Sequence, residues 1–99
     1  MLKMPPDVTK VAGKSSRVLF ENEKVRVLEI KFRKGQKLAM HSHPANFVYA
    51  ITPTKFKSTW PDGKTNIVKM RKGEFSFSSG SVHAIENLTP GLSLVIEFK

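Results

Sequence analysis

From Val18 to Phe98 the chain is written in short two-residue alternations, and no segment sustains a 3.6-residue period. Successive side chains of an extended strand point to opposite faces, so this rhythm selects strands and excludes a helical bundle. Val25 to Arg33 reads V-R-V-L-E-I-K-F-R, with Leu28, Ile30 and Phe32 on one face. Glu74 to Ser78 alternates as E-F-S-F-S. Leu92 to Phe98 sets Leu92, Leu94, Ile96 and Phe98 against Ser93, Val95 and Glu97. Turn residues punctuate these runs at Glu21 to Lys24, Lys34-Gly35, Pro44-Ala45, Pro61 to Lys64, Arg71 to Gly73, Ser79-Gly80 and Thr89 to Gly91. About eight or nine strands with turns roughly every 8 to 12 residues are the pattern of an all-β sandwich or barrel.

Ninety-nine residues suffice for one modest core and not for two. The expected division is an N-terminal arm, residues 1–16, extended and carrying at most one short edge strand, followed by a single β domain over 17–99. The absence of cysteine excludes disulfides, thiolate metal sites and cysteine nucleophiles. No apolar run reaches the roughly 20 residues that span a bilayer, and the first residues lack an apolar secretion segment. A cytoplasmic protein with no membrane partner is therefore expected. Seventeen Lys and Arg against eight Asp and Glu give a formal charge of +9, which draws anions of every kind. Lys55, Lys57, Lys64, Lys69, Arg71 and Lys72 around the central hairpin keep nucleic acid open as a partner. No clustered basic run or aromatic-basic stacking motif supports it, and a solvated lysine surface is the simpler account.

The three histidines are confined to two short stretches, Gly35 to Pro44 and Gly80 to Asn87. His41 and His43 share strand parity and can aim at one point, and a strand carrying His83 can add a third ring. Three imidazoles converging between strands make a first-row transition-metal site with open coordination positions. The bland alternative is a packed polar cluster satisfied by its neighbours.

The punctuation around these residues resembles that of the cupin superfamily, whose motifs run G-x5-H-x-H-x3-4-E-x6-G and G-x5-P-x-G-x2-H-x3-N. Gly35, His41 and His43 match the opening of the first motif, and Gly80, His83 and Asn87 match the end of the second. Gly73 stands for the second motif's opening glycine, one residue nearer than usual. Three departures accompany the match. The glutamate position of the first motif falls on Phe47 or Val48, its closing glycine is replaced near Thr54 or Lys55, and Ser78 stands where the second motif has proline.

The resemblance implies a double-stranded β-helix, or jelly-roll barrel, of about eight to ten antiparallel strands with little or no helix. It implies one divalent transition metal per chain on His41, His43 and His83, as in the three-histidine sites of some thiol and diketone dioxygenases. Iron, zinc, nickel, copper and manganese all accept imidazole ligands, so its identity stays open. A site without the glutamate leaves the ion at +2 and up to three positions for other ligands. Glu86 and Gln36 have the wrong parity to coordinate, and Asn87 is a structural residue in the family. Dimers are common there too, so a homodimer is expected.

On strand parity Ala39 faces inward beside His41 and His43. Val48 and Ala50 are expected to line a small apolar wall, with Tyr49, Phe75, Phe77 and Met40 as further pocket candidates and Phe56, Trp60 and Met70 nearby. The carboxylates Glu29, Glu74, Glu86 and Glu97 are expected to face solvent. No nucleophile motif, phosphate loop or carboxylate pair is present and no catalytic side chain can be assigned, so any chemistry must be centred on the metal. Two functions fit: a metal-dependent, dioxygenase-like enzyme acting on a small organic molecule, and a non-catalytic cupin that binds a metal or small ligand. A basic nucleic-acid-binding β domain is the third.

Overall fold

The computed structural model describes residues 5–99, so the first four positions of the expected arm lie outside the described residues. Nine strands follow a short helix: β1 Ser16–Glu21, β2 Val25–Phe32, β3 Lys37–His43, β4 Asn46–Ala50, β5 Thr54–Thr59, β6 Thr65–Met70, β7 Phe75–Ser78, β8 Ser81–Asn87 and β9 Gly91–Phe98. They form a five-stranded sheet in the order β1-β2-β9-β4-β7 and a four-stranded sheet in the order β3-β8-β5-β6. Every strand pairing is antiparallel. The rhythm's all-β expectation holds, and the two sheets form the jelly roll that the resemblance implies.

The inner faces meet over a core of Leu28, Ile30, Leu38, Ile85 and Val95, with Phe32, Val48 and Phe56 packed against it. Leu28 and Ile30 come from the strand whose alternation is clearest. Burying such a side chain contributes about 1.5–3 kcal/mol, so this one strand anchors a large share of the fold. Asn87, 2% exposed, ties the two motif stretches together. Its backbone N–H and side-chain Nδ2 both donate to the Gln36 carbonyl, at 2.9 and 3.1 Å, while its own carbonyl accepts from Gly35 N at 2.7 Å. Its structural role follows from these bonds.

The arm departs from the extended form expected of it. Residues Val8–Ala12 make one helical turn and Gly13–Ser15 a 3-10 turn. Asp7 caps the helix by accepting from Thr9 N at 2.8 Å, satisfying a donor that the first turn leaves free. Val8 and Ala12, four residues apart and thus on one helix face, are buried at 1% and 7% exposure. Two apolar residues at that spacing are too few for a period to be legible. Among the described residues ahead of Ser16, where β1 begins, strand pairing by the arm is one parallel bridge, Asp7 to Ser42. Ser42 donates its N–H to the Pro6 carbonyl at 2.8 Å and its hydroxyl to the Pro5 carbonyl at 3.0 Å. The arm is thereby fastened to the residue between His41 and His43.

Candidate metal centre

His41 and His43 lie on β3, and His83 is the direct partner of His41 on β8. The register between these strands shifts between Leu38 and His41, so β3 carries a bulge there. An extra residue reverses the side-chain alternation. Leu38 faces the core on one side of the bulge, the two histidines face it on the other, and Ala39 is exposed. The inward Ala39 expected from simple parity is therefore corrected: parity does not carry across a bulge. Instead the bulge turns the Ala39 carbonyl toward the His41 ring, which bonds to it through Nδ1 at 2.7 Å. That contact makes Nδ1 the protonated nitrogen and leaves Nε2 as the free donor.

The three rings stand edge to face with centroids 4.8 Å apart for His41–His43 and His41–His83, and 5.3 Å for His43–His83. One nitrogen from each falls within 4.8 Å of the others, close enough for a common ion. Burial disfavours the charged ring. It is the main cause that pushes the His83 pKa down to about 4, helped by the proximity of His41 and His43. Burial likewise lowers the His41 pKa, outweighing the opposing bond to Ala39. Two of the rings are thus held as free bases near neutrality, the form that coordinates metals. The donor set and its spacing, with His41 and His83 held neutral, fit a divalent transition ion.

The cluster opens on a cavity of about 370 Å³, the size of a small-molecule site. Its walls are mostly apolar, with Ile30, Phe32, Val48, Phe56, Trp60 and Val68 among them, and its polar lining beyond the histidines is uncharged: Asn46, Thr54, Ser76, Ser78, Ser81 and Ser93. Val48 lines it, as do Phe56 and Trp60, whereas Ala50, Tyr49, Phe75, Phe77, Met40 and Met70 do not. Ala50 is fully buried in packing away from the cavity. Phe75 and Phe77 are 66% and 58% exposed because β7 turns its serines inward, and Tyr49 is exposed on β4 for the same reason. Met40 sits within the bulged segment of β3 and points elsewhere.

Gly80 fits this geometry only as glycine. Its φ is +126°, and a Cβ there would stand 3.3 Å from the His43 carbonyl oxygen. Glu86 faces outward toward Lys57 at 3.7 Å, and Gln36 donates to Ser15, so neither approaches the centre.

One residue that strand reading placed in solvent belongs to the site. Glu97, 2% exposed, accepts from Arg26 Nε at 2.7 Å and brings its other oxygen to 3.5 Å from His43 Nδ1. The misleading signal was the apolar Leu92, Leu94, Ile96 and Phe98 face of β9, which turns out to be the outer face. The inward parity of Ser93, Val95 and Glu97 was visible; which face was inward was not.

No family model and no curated protein matches the chain. Solved structures do. A cupin domain from Bordetella pertussis aligns with 22% identity over 100% of this chain and 99% of its own length, with a TM-score of 0.76. KdgF from Halomonas aligns at 15% identity over 84% of this chain and 76% of its own, TM-score 0.62. A variant of Bacillus subtilis oxalate decarboxylase aligns at 17% identity, TM-score 0.60, covering 79% of this chain and 22% of the larger protein. The chain has the small cupin fold.

Proposed function

We propose that this protein is a metal-binding cupin in which His41, His43 and His83 hold one divalent transition ion and the adjoining cavity receives a small organic molecule. The observation that carries the reading is the convergence of three imidazoles, His41 buried and His43 and His83 half-buried, on a largely apolar pocket. The ion would supply Lewis acidity and coordination positions that the protein leaves open. The chain's own residues do the rest. The Ala39 carbonyl orients the His41 ring. Phe32, Val48, Phe56 and Trp60 exclude water, and the serines of β7, β8 and β9 offer hydroxyls to a ligand's polar groups. Among the described residues the cavity wall has no carboxylate, lysine or arginine, so any chemistry would be centred on a bound ion, which supports a dioxygenase-like reaction on a small substrate. That lack equally supports a second reading, a binding cupin that holds metal and ligand without turnover. Two of the six basic hairpin residues are spent on carboxylates, Lys57 on Glu86 and Arg71 on Glu74, which leaves nucleic-acid binding the weakest of the three.

Elemental analysis of untagged protein, repeated on His41→Ala and His83→Ala, tests the reading. About one metal per chain in the parent and none in either variant is the expected result, and a parent that retains no transition metal and shows no thermal shift with any of the five ions overturns it. Oxygen consumption by anaerobically iron-loaded protein over a panel of thiols, diketones and phenols then separates enzyme from binder.

A further inference from the structure

We infer that Glu97 is the positioning carboxylate of this centre, holding His43 with its Nδ1 protonated and its Nε2 free for the ion. The inference rests on the metal-binding reading above. Burying a carboxylate to 2% exposure is costly unless its lone pairs are met. Arg26, on β2, meets one oxygen with Nε at 2.7 Å and Nη2 at 2.5 Å, and the same Nη2 reaches Asp7 Oδ2 at 2.5 Å. The other oxygen, Oε2, faces His43 Nδ1 at 3.5 Å, and among the described residues no other acceptor is bonded to that ring. His41 is held in the same sense by a different acceptor, the Ala39 carbonyl. Two of the three rings therefore have Nδ1 taken by an oxygen.

The carboxylate is not a fourth ligand, because it lies outside the group of donor atoms that fall within 4.8 Å of one another. Its place in the sheet explains what it replaces. Glu97 pairs with Asn46, at the start of the strand whose next two residues, Phe47 and Val48, occupy the position of the missing motif glutamate. The negative charge has moved one strand over, from where it would touch the metal to where it touches a ligand of the metal. Asp7, Arg26 and Glu97 together carry one net negative charge toward three imidazoles. They also join the N-terminal arm to the centre, since Asp7 both caps the helix and closes the far end of the chain of contacts.

Two measurements test this on the full chain. In metal-free protein, long-range nitrogen–proton correlation spectra report the tautomer of each ring, and His43 is expected as Nδ1–H. Zinc affinity, measured by competition with a chromophoric chelator, is expected to fall about 10- to 100-fold in Glu97→Gln, the usual effect of removing a carboxylate behind a metal-bound imidazole. Asp7→Asn, which loosens the outer end but leaves Glu97 beside His43, should lose only a few-fold. A purely structural ion pair would lower stability in both variants and leave zinc affinity unchanged. A Glu97→Gln affinity within about threefold of the parent, or an Nε2–H tautomer for His43 in the parent, overturns the inference. If Glu97→Gln does not fold, Glu97→Asp keeps the charge for Arg26 but retracts it from the ring, and must show the same loss. A parent that binds no zinc while His43 is Nδ1–H instead removes the metal reading and leaves the contact established.

Discussion

His43 depends on its neighbours for more than its side-chain bond. Its carbonyl lies against Gly80, whose φ of +126° no other residue adopts cheaply. Gly80→Ala should cost roughly 1–3 kcal/mol in strain, read as a lower urea midpoint. Because the added methyl pushes on the His43 backbone, zinc binding should weaken as well. An alanine variant with unchanged midpoint and affinity would show that the β7–β8 turn does not hold the site. The histidines were legible as a group because parity and glycine spacing both point to them. Ala39 was misplaced because a bulge has no residue signature. Glu97 was misplaced because an ionised side chain reads as surface unless its partner Arg26, 71 positions away, is known to face it.

At the level of elements, the helical turn of the arm acts as a clasp on β3. Asp7 is its pivot, bonded to Thr9 in the helix and to Arg26 on β2, with His41 on β3 near enough to feel its charge and Glu97 across Arg26. Burial alone would raise the Asp7 pKa, but the bonds from Thr9 and Arg26 outweigh it and hold the carboxyl below its ordinary 3.8. A depressed folded-state pKa means the unfolded chain takes up the proton first. The stabilisation is full above about pH 4 and is lost as pH falls through the lower folded value. Asp7→Ala should lose about 1 kcal/mol of capping at neutral pH, and its deficit against the parent should shrink below pH 4 in urea melts. A deficit independent of pH would show that the ionised carboxylate adds nothing to the clasp beyond its neutral form. The β elements themselves were legible because alternation survives in a strand whichever face is buried. The identity of the buried face was not legible where the more apolar face is the one turned outward, as on β9.

The whole molecule carries the consequence of that ambiguity. Over its β9-β4-β7 half, the outer face of the five-stranded sheet holds Leu92, Leu94, Ile96 and Phe98 from β9, Phe47 and Tyr49 from β4, and Phe75 and Phe77 from β7, eight positions without one charge. Phe47 is ringed by Phe75, Phe77 and Phe98 at centroid distances of 5.9, 5.2 and 5.9 Å. Taking about 200 Å² for an aromatic side chain, the exposed parts of Phe75, Phe77, Tyr49 and Phe98 alone amount to roughly 400 Å². That is about half of the roughly 800 Å² each partner contributes to a standard interface, before the aliphatic residues beside them are counted. A net charge of +9 opposes association in general, and on this face Glu29 and Lys31 of β2 flank the apolar patch beside Leu94 and Leu92. A second copy related by a two-fold axis, setting this face on itself, is the occupant that buries it without new chemistry. Sedimentation at tens of micromolar should therefore give about twice the 11.1 kDa chain mass. The double change Phe75→Ser and Phe77→Ser, on side chains the barrel interior never touches, should return the monomer with its fold and its metal affinity intact. A parent that sediments as a monomer would remove the dimer, and a double variant that stays dimeric would move the interface to another face.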